Sequence, residues 1–457
     1  MQEIESRVNA QYKKLTAMLD QKRSQQFRKM FLSLHSYEQG QFFLTLSKVQ
    51  RQEFYEIMQP SEVSEIFDVL KDDLTNAQAL LQEMDIKYAA QMVDQMDDDN
   101  AADLLEQLDK PTVQRYLQLI PKQNAHKLRK LLNYGNETAG GLMTTDYAVL
   151  KQDVTVGDAI KSIRKFAKTA ETIYYLYIVN ENNDLVGIMS LRELLVHNEK
   201  AVLNTIMNRN IISVYDDDDQ EQVAGVFRDY QLIALPVISH TKQLLGIVTV
   251  DDAIDVIDDE AQDDYSKLAG VDVDEPDSET PMQAAKSRLP WLITLLFLGM
   301  ITATLISHFE TLLSKASILA VFISLITGTA GNAGTQSLAV AVRKLSLEDN
   351  KAKHIWKLIG KECLTGLIAG FITGITIFIV VGVWKHNWIL GFVIGLAMMF
   401  AIVVANLAGS LIPMGMAKLG FDPAVASGPF ISTLSDLTSV LIYFNIASLF
   451  LSYFIKM

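Results

Sequence analysis

The chain has 457 residues, too many for one ordinary domain, with 54 acidic residues against 40 Lys and Arg and 49% hydrophobic residues. The charge is uneven: residues 286–457 hold twelve bases and six acids, a net of +6, so residues 1–285 hold the remaining 28 and 48, a net of −20. So acidic a half argues against nucleic acid as a partner, and the lone Cys363 excludes a disulfide framework and a zinc–thiolate cluster.

The N-terminus, MQEIESRVNAQYKKL, lacks an apolar signal core, so residues 1–285 are expected to stay in the cytoplasm. Residues 1–30, rich in Lys, Arg and Gln, read as an N-terminal extension. Over 31–136 an apolar mark recurs every twelve residues: Leu34, Leu46, Met58 and Leu70, then, after a two-residue insertion, Met84, Met96, Leu108, Ile120 and Leu132. Units such as MDDDNAADLLEQL place a helix-starting residue just after each mark, which predicts a right-handed coil of short helices. Most of its charges read as scaffold. Asp99 and Asp103 stand out, since their i, i+4 spacing sets like charges side by side and makes them candidates for a metal role.

A second repeat covers 137–258. LMTTDYAVLKQDVTVGDAI is echoed by IMNRNIISVYDDDDQEQVA, with Met143 and Met207 sixty-four residues apart. Each copy runs through a β-rich stretch into GIMSLRELL or GIVTVDDAI, a strand entering a helix. These motifs resemble a tandem pair of cystathionine-β-synthase-type (CBS) domains, about 137–206 and 207–258. The resemblance implies ribose-holding residues at Thr249 and Asp252, with Ser190 and Glu193 at the matching positions of the first copy. It leaves open whether the pair binds ATP or serves as a dimerising, signal-relaying body.

From Asp251 to Thr280 the chain places thirteen acids against one base, Lys267. No Pro or Gly interrupts it before Gly270, so a helix is expected, with Asp252, Asp255, Asp259 and Asp263 on one stripe and Glu260 and Asp264 alongside. Like charges at this spacing destabilise a helix unless a cation neutralises them, and oxygen ligands without His or Cys suit Mg²⁺ or Ca²⁺. A solvated acidic face is the alternative; the position directly before an apolar half favours the cation. Asp216 to Asp219 add four carboxylates. Residues 259–285 form this acidic connection.

Residues 286–457 contain five apolar segments long enough to span a bilayer: Leu289–Phe309, Ser317–Val342, Leu364–Trp384, Ile389–Leu411 and Phe430–Phe454. The bases that flank them, Lys286 and Arg288 before the first and Arg343 to Lys361 between the second and third, predict a cytoplasmic N-terminus and an outside C-terminus in a plasma membrane. Five helices are few to enclose a pore, which favours a homodimer. Asp436 on the fifth segment, with Ser432, Thr433 and Ser435 near it, is a candidate cation site. Gly328, Gly331 and Gly334 are expected to interrupt or tightly pack the second segment. Asn406 and Pro413 mark an expected break in the fourth, and Glu362 reads as interfacial beside Lys361.

TGTAGNAGTQS, FDPAxxSGPF…SD and the order helical repeat, CBS pair, acidic helix together resemble the MgtE family of magnesium channels. The resemblance implies a multidomain fold: an α-helical superhelical N-domain, an α/β tandem CBS pair, a long connecting acidic helix and a five-helix transmembrane domain. It implies a homodimer in the lipid bilayer that conducts Mg²⁺ and closes when cytosolic Mg²⁺ is high. The pore site would use Asp436 and a carbonyl near Ser432. Regulatory sites would fall on Asp252, Asp255, Asp259, Glu260, Asp263 and Asp264, helped by Asp217, Asp219 and Asp229. Gly428 departs from relatives that carry an amide side chain there. Transport of Co²⁺ or Mn²⁺, or a membrane-anchored nucleotide sensor without transport, are the rival readings. No P-loop, HExxH spacing or nucleophile–base pair appears, so an enzyme is not expected.

Overall fold

The computed structural model describes residues 2–70, 77–167, 170–271, 280–347 and 352–454. They divide into two compact units, Met1–Asp258 and Asp259–Met457.

The first unit begins with short helices, among them Ser36–Leu44, Lys48–Ile57, Pro60–Val69, Ile86–Val93, Asp98–Glu106, Lys110–Leu119 and Lys122–Leu131. Their starts follow from local chemistry: Ser47 and Gln50 form a capping box, Asp85 accepts from the amides of Lys87 and Tyr88, and Pro60 opens its helix. The twelve-residue marks become the core, with Leu34, Leu46, Met58, Leu70, Met84, Met96, Leu108 and Ile120 all buried and Leu132 packed against them. Leu15, Leu19, Phe27 and Phe31 of the two leading helices, Gln2–Asp20 and Ser24–Phe31, are buried in that same core. Repeats about thirty residues apart are tied by Arg51 to Glu83 at 2.8 Å and by Asn124 to Asp94 at 2.8 Å.

The CBS pair supplies two three-stranded sheets. In the first, β1 (Tyr147–Lys151) lies parallel to β2 (Thr172–Val179), which is antiparallel to β3 (Leu185–Ser190). In the second, β4 (Val214–Tyr215), β5 (Ala234–Ile238) and β6 (Leu244–Thr249) repeat the order. The repeated methionines are exchanged between copies. Met143 of the first sits where a side chain on Gly246 would be, with its sulfur 2.7 Å from that Cβ position, and Met207 of the second does the same at Gly187, at 2.4 Å. Thr144 exchanges backbone hydrogen bonds with Ile247, and Asn208 with Ile188. Each copy therefore completes the other's sheet, which is why the sequence repeats as a pair.

The acidic helix is continuous over Val250–Ala269 and buries Ala253 and Val256. It ends at Gly270, whose φ of +74° lets the amides of Gly270 and Val271 close onto Lys267 and Ser266.

Among the described residues of the second unit, five helices are long and apolar enough to cross a membrane: Pro281–His308, Ser317–Leu345, Lys357–Trp384, Trp388–Lys418 and Gly428–Leu449. Of the two alternatives for the second span packing holds, and the expectations for the fourth span and for Glu362 change. The second span is an unbroken α-helix from Ile323 to Leu347, and its glycines act in packing: a Cβ on Gly334 would lie 2.9 Å from Ser435 Oγ. The fourth is unbroken from Trp388 to Lys418, with Pro413 inside it. The residue one turn before that proline is Gly409, whose Cβ position lies 2.2 Å from the Gly334 carbonyl oxygen, so the two backbones are in contact there. Glu362 is not interfacial. It is 5% exposed, and Ser337 Oγ lies 3.1 Å from its carboxylate and 2.8 Å from the Asn406 carbonyl, joining the second, third and fourth spans.

Gly409→Ala should therefore overpack the contact between the second and fourth spans by about 1–3 kcal/mol and lower the melting temperature of the detergent-purified protein. Gly415→Ala, where a Cβ meets nothing within 4 Å, should leave it unchanged.

Candidate metal sites

Within the first unit, the helix Asp98–Glu106 brings a run of acids against the CBS pair. Lys127 Nζ reaches Asp98 at 3.0 Å and Asp146 at 2.8 Å, and the Thr145 hydroxyl donates to Asp98. Next to this compensated cluster, Asp99, Glu171 and Asp252 each bring one carboxylate oxygen to within 4.8 Å of the others. Asp99 is 5% exposed, and Asp99 Oδ1 and Glu171 Oε2 are buried without a hydrogen-bond partner. Asp252, in the first turn of the acidic helix, accepts from the Thr249 hydroxyl at 2.5 Å. Burial, and then the charge of Asp252, push the Glu171 carboxyl up to about 8 and that of Asp99 well above the ordinary carboxylate range. A hard divalent cation would remove this penalty, and three oxygen donors without nitrogen or sulfur are what such an ion takes.

The sequence-predicted residues are distributed around this centre unevenly. Asp99 and Asp252 come together, whereas Asp103, one turn on, is exposed. Glu171 was missed: it stands alone before β2, and no spacing ties it to either partner. Asp217 joins Asp216 and His240 in a second, exposed cluster, with His240 Nε2 3.1 Å from Asp217 and its ring stacked on Tyr215. The nearby His240 imidazole holds the Asp217 carboxyl below its usual range. Asp219 caps the helix Gln220–Tyr230 through the Glu221 amide, and Asp229 pairs with Arg228 at 3.1 Å.

On the acidic helix, Asp255, Glu260 and Asp264 are half-buried and Asp259 is exposed. Asp263 pairs with Lys267, which also reaches Asp422 at 2.5 Å. Asp272, Asp274, Glu275, Asp277 and Glu279 of the acidic run lie outside the described residues.

In the membrane unit, Asp436 is half-buried on the fifth span, one turn beyond Ser432. Among the described residues, Asp436 makes no ion pair. Ser435 and Ser439, flanking it in sequence, are fully buried with hydroxyls that have no hydrogen-bond partner. Ser432 Oγ lies 2.7 Å from the Cβ position of Gly331, so the glycine spacing of the second span makes room for the serine face of the fifth.

A cavity of about 330 Å³ in the CBS pair is lined by Tyr175, Ser190, Glu193, Asn208, Asn210 and Pro236, among others. Glu193 lies on it; Thr249 and Asp252 are not among its lining residues.

The family described as divalent cation transporter, MgtE, matches residues 323–446, the MgtE intracellular N domain matches 34–137, and the CBS domain matches 139–199 and 203–259. The chain is 62% identical over 333 residues, 73% of each chain, to the magnesium transporter MgtE of Enterococcus faecalis. It is 37% identical to that of Thermus thermophilus over 73% of this chain and 74% of the other. Among solved structures, the soluble part of a magnesium transporter aligns with a TM-score of 0.54 at 44% identity, covering 56% of this chain and 99% of that one. The cytosolic domain of the Mg²⁺ channel MgtE in complex with ATP aligns with a TM-score of 0.50 at 29% identity, covering 53% and 98%.

Because Glu171 takes up a proton more readily when folded than when unfolded, its contribution falls as pH rises from its unfolded value near 4.5 towards 8. In Mg²⁺-free buffer at pH 8, Glu171→Gln should raise the melting temperature, by about 2–4 °C for each kcal/mol of repulsion relieved, and the gain should shrink at pH 5. Mg²⁺ should stabilise the parent protein more than the variant.

Proposed function

Because the chain belongs to the MgtE family, we propose that it carries Mg²⁺ across the plasma membrane as a homodimeric channel that closes when cytosolic Mg²⁺ is high. Its N-terminus lies in the cytoplasm and its C-terminus outside. The observation that carries this reading is Asp436: a carboxylate on a membrane-crossing helix with no base beside it, flanked by two buried hydroxyls that lack partners. Mg²⁺ dehydrates reluctantly, so the ion passes with most of its water, held by Asp436 and by a carbonyl near Ser432.

A homodimer supplies the second wall of the conduit. The first span buries none of its residues in this chain and leaves Leu292, Leu296, Phe297 and Met300 exposed, a surface for lipid and for a second copy.

Closure uses the same ion as ligand. Asp99, Glu171 and Asp252 form one regulatory site, with Asp255, Asp259, Glu260, Asp263 and Asp264 of the acidic helix and Asp217, Asp219 and Asp229 of the CBS pair contributing further carboxylates. Without Mg²⁺ the carboxylates other than Asp263, which Lys267 neutralises, repel one another, each solvated pair at about 4 Å by about 1 kcal/mol, so several pairs together bias a gate. Glu193 and the cavity beside it accept ATP, with Tyr175 and Pro236 available to hold the base.

Expression should restore growth of a strain deficient in Mg²⁺ uptake, and Asp436→Ala should abolish the rescue with the protein still in the membrane. Co²⁺ and Mn²⁺ should compete poorly with Mg²⁺ in a flux assay. Glu193→Ala should weaken ATP binding about tenfold or more, as expected for loss of charged hydrogen bonds to a ribose, while Thr249→Ala should not.

A further inference from the structure

Lys267 is the single base among the thirteen acids from Asp251 to Thr280. Its ammonium is held between Asp263, one turn back on its own helix, and Asp422, 155 residues later in sequence. Both carboxylates raise its pKa, against the opposing effect of burial. Asp422 is fixed at its other oxygen: Oδ1 accepts from the Ala424 amide at 2.8 Å and caps the turn Pro423–Val425 that leads into the fifth span. That span begins at Gly428 and carries Asp436.

Two further contacts place the end of the acidic helix at the same spot. The Leu268 carbonyl oxygen lies 3.1 Å from the Cβ position of Gly428, so a side chain there would press on the docked helix. Gly270 lies over Trp291 of the first span and near Pro429 of the fifth, with its Cβ position 2.6 Å from Trp291 Nε1. Side-chain charge, backbone approach and glycine packing thus converge on one junction.

We propose that Lys267 is a positioning residue for transport: a tethered cation that docks the last turn of the acidic helix onto the start of the fifth span and favours the closed channel. It does by covalent attachment what a bound cation does reversibly, neutralising Asp263 and Asp422 together. Part of the closing free energy is then built into the chain and present without Mg²⁺, and bound Mg²⁺ need supply only the rest. Gly428 follows from the same docking, since the bare backbone lets Leu268 approach. The effect on gating rests on the function proposed above; the docking itself does not.

The test uses the full-length protein. In Mg²⁺-free buffer, trypsin should cut after Lys267 slowly in the parent, and at least about threefold faster in Asp422→Asn, a loss of roughly 0.7 kcal/mol of docking. Equal cleavage rates would overturn the latch without reference to transport. In proteoliposomes, Lys267→Ala should raise the cytosolic Mg²⁺ that halves influx by about three- to tenfold, with maximal influx kept within about twofold. Lys267→Arg and the exchanged pair Lys267→Asp with Asp422→Lys should return it towards the parent value. An unchanged midpoint in Lys267→Ala, or an exchanged pair as impaired as Lys267→Ala, would overturn the gating role. A parent protein whose influx ignores cytosolic Mg²⁺ would overturn that role together with the proposed function, leaving the cleavage result to judge the docking.

Discussion

Clustered carboxylates at module junctions are the constraint around which this chain is organised. Burying like charges together is costly, and Asp99, Glu171 and Asp252 bring carboxylate oxygens within 4.8 Å of one another. Lys127 lies close enough to neutralise Asp98 and Asp146, so a base was available to this interface and is spent on its neighbours. The proposed regulatory Mg²⁺ would relieve the residual repulsion there.

The membrane unit resolves a different conflict. Its helices must approach closely without a hydrophobic driving force between them, and they do so through glycine and serine. Gly331 and Gly334 of the second span face Ser432 and Ser435 of the fifth, and Gly409 of the fourth meets the backbone at Gly334. The helix bearing Asp436 is therefore held against neighbours with little slack. The buried link among Glu362, Ser337 and Asn406 fixes the second span from its other side.

Much of this was legible in the sequence because it depends on period. The twelve-residue marks became the core of the helical module, the paired methionines became the exchanged contacts of the CBS sheets, and the apolar segments became the five membrane-crossing helices. Family membership was equally legible, since its motifs are contiguous. What depends on meetings between distant segments was not. Glu171 has no local pattern linking it to Asp99 or Asp252, and Lys267 looked like an isolated base until Asp422 was seen beside it. Pro413 and Asn406 suggested a broken helix because a sequence does not show that Gly409 rests on Gly334. Asp99 and Asp103 looked equivalent by spacing, yet Asp99 is buried beside Glu171 and Asp252 and Asp103 is exposed.

The claim at the centre of this account is that one ion is both cargo and closing ligand. It is tested most directly by recording currents from the purified protein in a planar bilayer, with Mg²⁺ fixed on the outer face and raised stepwise on the cytosolic face. The account predicts inward Mg²⁺ current that shuts off with cytosolic Mg²⁺ more steeply than the falling gradient requires. Current that only follows the gradient, or no Mg²⁺ current at all, would contradict it.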